Sequence, residues 1–362
     1  METFWFGAVT LMLAVYVVLD GYDFGVGMVS PLVARTDEDR RLVLAAIGPV
    51  WSGNEVWLIA AGAVLFLAFP KAYAAGFSGF YLALIIVLWL LMGRGLAIEL
   101  RGHLDHPLWR QFWDVVFAVT SALLAVVFGA ALGNLVRGVP LNAEGYFFVA
   151  LWTNFLPGPE PGILDWFTLL LALTSVVLLT LHGANFLAMK TMNEVQARAR
   201  RVARLTGYAT VLLVASVLPV LSLVQPSLRL NYDAHPIGYA LPLIALAALT
   251  AMQVFRAQER DVAAFTSSSL LLFGLLTGIA WGSYPNILIA TTDPAHSLTA
   301  TTASAGSYGL QAAFWWFTIG LTVIIAYQVW IHSLFWGPVK PESGDSSDHY
   351  SARKIVPSSP TK

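Results

Sequence analysis

Apolar residues run in long blocks along this chain, and polar residues cluster in the short stretches between them. A helix that crosses a bilayer needs roughly 20 mostly apolar residues. Nine stretches reach that length: 4–29, 48–69, 77–98, 113–136, 163–188, 206–225, 237–254, 264–285 and 312–335. Backbone groups inside a bilayer must be satisfied within their own segment, so each stretch is predicted to be an α-helix. Trp5, Tyr73, Trp109, Trp113, Trp166, Tyr284 and Trp336 stand near the predicted ends, where an interfacial aromatic belt belongs. The predicted class is an all-α polytopic membrane protein with one transmembrane domain over 1–336. The remainder, 337–362, is polar and rich in Pro and Ser, and reads as a disordered tail.

Composition supports that class. The chain is 57% hydrophobic and 11% charged, whereas a soluble domain carries about 25% charged residues. A net charge of −1 offers no basic surface for nucleic acid. The lack of cysteine excludes disulfides, thiolate-bound metal and cysteine catalysis. The first apolar block has no basic leader and contains two aspartates, so it reads as a retained helix, not a cleaved signal.

Charge then sets the orientation. With nine spans and the N-terminus outside, only Lys71, Arg137 and Arg229 fall on the outer side, against the other seventeen of the 20 Lys and Arg residues. That asymmetry predicts N-out and C-in. The basic segment 190–204 is predicted to be helical and suits anionic lipid headgroups. The outer loops 137–162, 226–236 and 286–311 are poor in basic residues, and PGPEPG in the first is a turn stretch.

The candidate chemistry lies in Tyr16–Trp57. Asp20 and Asp23 are one helical turn apart, as are Ser52 and Glu55. Ionisable groups inside a membrane are costly and mark candidate functional sites. On the predicted topology Asp20, Asp23, Glu55, Arg94, Glu99 and Asp114 converge toward the cytoplasmic side. A line of carboxylates there suits proton uptake. The competing reading is an ion-paired knot of Asp20, Arg94 and Glu99 that only locks helices together, with Asp23 and Glu99 near enough to the interface to be solvated. Gly21, Gly25 and Gly27 permit close helix contact. Asn54 is a candidate interhelical hydrogen-bonding residue. Trp51 and Trp57 either line a cofactor cavity or gas channel, or fill a subunit interface. His182 and His332 lie in predicted spans, and a lone helical His is more often a hydrogen-bonded packing residue than a haem ligand. No His pair has convincing haem or metal spacing.

Several motifs in order resemble subunit II of the cytochrome bd-type quinol oxidases: LDGYDFGVGM at Leu19–Met28, GPVWSGNEVWLIAAGAVLFLAFPKAYA at Gly48–Ala74, FSGFYLAL at Phe77–Leu84 and RGLAIELRG at Arg94–Gly102. FGAALGNLVRGVPLN at Phe128–Asn142, HGANFLAMKT at His182–Thr191 and SYPNIL at Ser283–Leu288 extend the match. The resemblance implies two four-helix bundles plus one peripheral helix, paired with a similar subunit I in a bacterial or archaeal plasma membrane. Subunit I is expected to hold haem b and haem d and to oxidise quinol near the outer face. The complex then reduces oxygen to water with protons taken from the cytoplasm. A small accessory single-helix subunit and a structural quinone or lipid are compatible with this picture.

Carried across by position, Asp20, Asp23 and Glu99 match acidic residues of the family's proton route. Trp57 matches a tryptophan bordering the oxygen route, and Trp51 one beside the haem-facing acidic position. That acidic position is Ser52 here. A serine relays a proton through hydroxyl and water but does not hold one as a carboxylate does, and Glu55, one turn on, is a candidate replacement. Two readings compete with the oxidase subunit: a proton- or cation-coupled secondary transporter using Asp20, Asp23 and Glu55, and a purely structural membrane scaffold.

Overall fold

The computed structural model describes residues 1–339. The polar tail expected at 337–362 therefore lies, from 340 onward, outside the described residues. Among those residues, nine helices are long and apolar enough to cross a membrane, and each predicted span falls on one of them.

The first is α1 (Glu2–Val33), about 48 Å long at 1.5 Å per residue. Every residue from Asp20 through Gly27 is buried. α1 is the hub of the chain and packs against the helices of five later spans. Its glycines set how close those helices come. A side chain at Gly25 would meet the Leu179 carbonyl and the backbone of Gly183, so the two helices cross backbone to backbone.

After α1, α2 (Asp37–Ile47) is a short amphipathic helix outside the spans. The Thr36 hydroxyl accepts from the Asp39 amide at 3.1 Å, and the Asp39 carboxylate accepts from the Thr36 and Arg35 amides. That reciprocal cap fixes where α2 starts.

α3 (Trp51–Ala68) is the second span. Pro70 opens a separate helix, α4 (Pro70–Gly79), and α5 (Tyr81–Leu100) follows. The predicted span 77–98 therefore begins later than its hydropathy suggests. α6 (Pro107–Arg137) returns to the other side. The next connection has no helix, as PGPEPG predicts, and its ends are held together: buried Arg137 donates to Asp165, to Asn134 Oδ1 at 2.7 Å and to the Gly162 carbonyl at 3.1 Å. Asp165 also caps α7 (Trp166–Lys190).

The basic segment 190–204 is broken at Thr191 and Met192: Lys190 ends α7, and the rest is the start of α8 (Asn193–Val224), continuous with the sixth span. α9 (Leu228–Ala234), α10 (Ala240–Ala257) and α11 (Asp261–Ser283) follow. The last connection carries a small antiparallel pair, β1 (Asn286–Leu288) with β2 (Leu298–Thr299). α12 (Ser307–Leu334) closes the described chain.

The spans are buried very unevenly. The most apolar part of α7 is 61% buried inside the chain, and that of α12 only 6%. The C-terminal end of α12 is nevertheless tied down. The buried Lys190 ammonium donates to the carbonyls of Phe335 and, at 3.1 Å, Gly337, and the Val339 amide donates to the Lys190 carbonyl.

Candidate functional site

The polar groups of α1, α3 and α5 meet at Arg94. Its guanidinium donates to Asp20 Oδ1 at 2.6 Å and to Glu55 Oε2 at 2.9 Å, and lies 4.6 Å from the centre of the Phe24 ring. Arg94 and Asp20 are wholly buried, whereas the Glu55 side chain is 22% exposed. An arginine in an apolar span is stable only with such partners. The pairing of Asp20 with Arg94 expected from the ion-pair reading is present, and Arg94 lies six residues inside α5, at the centre of the site.

Asp23 is also corrected. It is 0% exposed, not solvated at the interface. Its Oδ2 accepts from Asn54 Nδ2 at 2.9 Å, and the same nitrogen lies 2.6 Å from the Tyr22 hydroxyl. Asp20 Oδ2 and Asp23 Oδ1 have no hydrogen-bond partner. The knot therefore pairs one guanidinium with Asp20 and Glu55, with Asp23 buried beside it, and the buried Tyr16 hydroxyl is a further protein donor beside Asp20.

Further hydrogen bonds from Asn54 and Tyr22 reach α12. Asn54 Oδ1 accepts from Gln328 at 3.0 Å, and the Tyr22 hydroxyl meets His332 Nε2 at 3.3 Å. His332 Nδ1 lies 2.9 Å from the Gln328 carbonyl. Sequence reading missed this link, because nothing in the local pattern of α12 pairs Gln328 with a residue 274 positions earlier.

The other predicted residues divide. Glu99 does not join the knot: it is exposed, five residues past Arg94 and turned about 140° around the helix axis. Glu55 takes the place that the ion-pair reading gave it. Ser52 is exposed and shares an outward stripe of α3 with Val56 and Ile59, whereas Asn54, Trp57 and Ala61 point inward. Trp51 packs over Gly95, whose Cβ, if it had one, would lie 3.3 Å from the indole ring. Asp114 sits apart, bound to Arg101 at 2.6 Å.

His182 is fully committed. Its Nδ1 lies 2.7 Å from Ser268 Oγ and its Nε2 lies 2.9 Å from the Val18 carbonyl, so the ring bridges α1 and α11. Among the described residues there is no cluster of three or more His, Asp or Glu able to hold a metal ion. Both nitrogens of His182 and both of His332 thus face a polar partner within the chain.

The model of the family "Cytochrome bd terminal oxidase subunit II" matches residues 1–335. The chain belongs to that family. It is 30% identical to the probable cytochrome oxidase subunit 2 of Haemophilus influenzae and to the cytochrome bd-I ubiquinol oxidase subunit 2 of Escherichia coli K12, over 95% of this chain and 97% of each relative. The cytochrome bd ubiquinol oxidase subunit 2 of Bacillus subtilis is also 30% identical, over 91% of this chain and 94% of its own length. The fold resembles a chain of the bd oxidase structure from Geobacillus thermodenitrificans, with a TM-score of 0.69 at 20% identity, covering 92% of this chain and 98% of that one. Family membership implies a subunit I partner and haem in the complex. Nine apolar helices and bacterial relatives make this a multi-pass membrane protein of bacterial type.

Proposed function

We propose that this chain is the non-haem-binding half of a membrane quinol:oxygen oxidoreductase, in which subunit I carries haems b and d, and that it supplies part of the route for protons and oxygen. Membership of the family supports the overall activity. The full engagement of His182 and the contacts of His332 support placing the haems in the partner. None of the relatives favours the transporter reading.

The observation that carries the proton role is the arrangement around Arg94. Three carboxylates share one cation, and an unpaired charge in a low-dielectric interior is costly. Holding a proton on the excess carboxylate removes that cost. The two partnerless oxygens, on Asp20 and Asp23, are acceptors within one helical turn of each other. Glu55 is the member with an exposed edge, and it faces the side of α3 that carries Ser52. In this reading protons enter from the cytoplasmic side, with the N-terminus out and the C-terminus in, and Glu55 passes them outward from the knot. Ser52 adds a hydroxyl relay, and Trp51 and Trp57 flank the path. Glu99 stands at the entrance as an exposed carboxylate. The outward stripe of α3 with Trp89, Met92 and Leu96 of α5 is an apolar face suited to subunit I. In this reading α1, α3, α5 and α6 form one four-helix bundle and α7, α8, α10 and α11 the other, with α12, which buries little against its own chain, peripheral.

The test is Glu55→Gln in the assembled oxidase. Quinol-driven oxygen consumption is expected to fall severalfold while haem content and spectra stay intact. Unchanged turnover would return the carboxylates to a purely structural role.

A further inference from the structure

A cavity of about 320 Å³ opens at the Arg-rich end of α7, α8, α10 and α11, away from the Arg94 knot. Asn185, Arg200, Arg204, Tyr208, Gln253 and Arg256 are among its lining residues. Arg200 is neutralised there, because it binds Asp261 at 2.6 Å and Glu259 at 2.5 Å. Neither Arg204 nor Arg256 makes an ion pair among the described residues. Arg256 donates to the Ala203 carbonyl and has a buried Nε with no partner. Gly207 makes room for it, since a Cβ there would run into the guanidinium.

Two further lining residues carry polar atoms without partners. Asn185, only 2% exposed, has a partnerless Nδ2, and Gln253 has a partnerless Oε1 while its Nε2 donates to the Gly207 carbonyl at 3.0 Å. Buried polar groups are almost always satisfied, so several orphans around one cavity point to a ligand. The unmet needs are those of an anion: two uncompensated guanidinium groups and an amide donor, with one acceptor left for a hydroxyl. The apolar side of the cavity continues along α8 through Tyr208 and Val211 toward the membrane-spanning part of that helix.

We infer that this cavity holds the phosphodiester of an anionic phospholipid, with Arg204 and Arg256 on the phosphate, Asn185 donating to it, and an acyl chain along α8. The apolar wall favours a lipid over a free phosphate, and a basic pocket between helices at a membrane surface is the usual setting for such a headgroup. The bound lipid would clamp α8 to α10, which touch each other far less than α10 touches α11.

The experiment uses the purified complex with its partner subunit, delipidated and then exchanged into nanodiscs of phosphatidylglycerol or phosphatidylcholine. Native mass spectrometry counts the lipid that is retained. The wild type is expected to keep one phosphatidylglycerol and no phosphatidylcholine at this site. A basic residue at a membrane surface contributes about fivefold to affinity for an anionic lipid. The double variant Arg204→Gln/Arg256→Gln should therefore bind it about 30-fold more weakly. Equal retention in the double variant overturns the proposal. Displacement of the lipid by millimolar inorganic phosphate overturns the lipid assignment in favour of a small-anion site. If the double variant fails to assemble, exposed Arg204→Gln alone decides: about a fivefold loss supports the site, and no loss overturns it.

Discussion

Arg94 and Asp20 form an ion pair of 2.6 Å in which neither side chain is exposed, although 74 residues separate them. Removing one partner of such a pair leaves a buried charge uncompensated, which costs about 3–5 kcal/mol. Arg94→Gln should sharply lower the unfolding midpoint of the purified complex. Adding Asp20→Asn should recover part of the loss, because it removes the fully buried carboxylate that Arg94 had paired. Strictly additive losses in that double-mutant cycle would mean the two groups do not act as a pair.

Ser52 and Glu55 share the partly exposed side of α3, but only Glu55 reaches Arg94. If the outward proton step depends on a carboxylate on that face, Ser52→Asp should restore part of the oxygen consumption lost in Glu55→Gln. An oxygen electrode on the two single variants and the double variant reads this directly. No rescue would place the step strictly at Glu55.

α12 buries little surface against its own chain and is joined to the core by Gln328 to Asn54 and His332 to Tyr22. A net hydrogen bond contributes about 1 kcal/mol. Gln328→Leu with His332→Leu should therefore raise amide exchange in the C-terminal half of α12 by roughly tenfold or more. Hydrogen exchange in α7, which is far more deeply buried, should not change.

Outside the spans, Asp37 sits where burial raises its carboxyl, but hydrogen bonds from Arg101 and Arg41 and the charges of Arg101 and Arg110 outweigh that and hold it below the ordinary carboxylate range. Asp39 is likewise held low: partial burial is outweighed by the Arg35 and Thr36 amides and by Arg198. A depressed carboxyl contributes stability above its unfolded value of about 3.9 and loses it as pH falls through the folded value. The complex should therefore lose thermal stability in that acid window. Asp37→Asn/Asp39→Asn should be less stable at neutral pH and show a flatter acid limb in a pH series of melting curves.

Much of this molecule was legible in the chain itself. All nine spans were readable because about 20 apolar residues have no other stable arrangement in a bilayer. The helical period placed Asp20 with Asp23 on one face, and the charge of Asp20, Asp23 and Glu55 in apolar surroundings marked the site. The motifs from Leu19 to Thr191 carried the family. Local periodicity does not state how each helix is rotated against its neighbours, nor which cation neutralises which acid. Only the tertiary structure replaced Glu99 by Glu55 as the second partner of Arg94, buried Asp23 and tied α12 to α1 across 310 residues. Those outcomes depend on backbone approach at contacts such as Gly25 with Gly183 and on pairing between distant segments, and neither leaves a signature within any single helix.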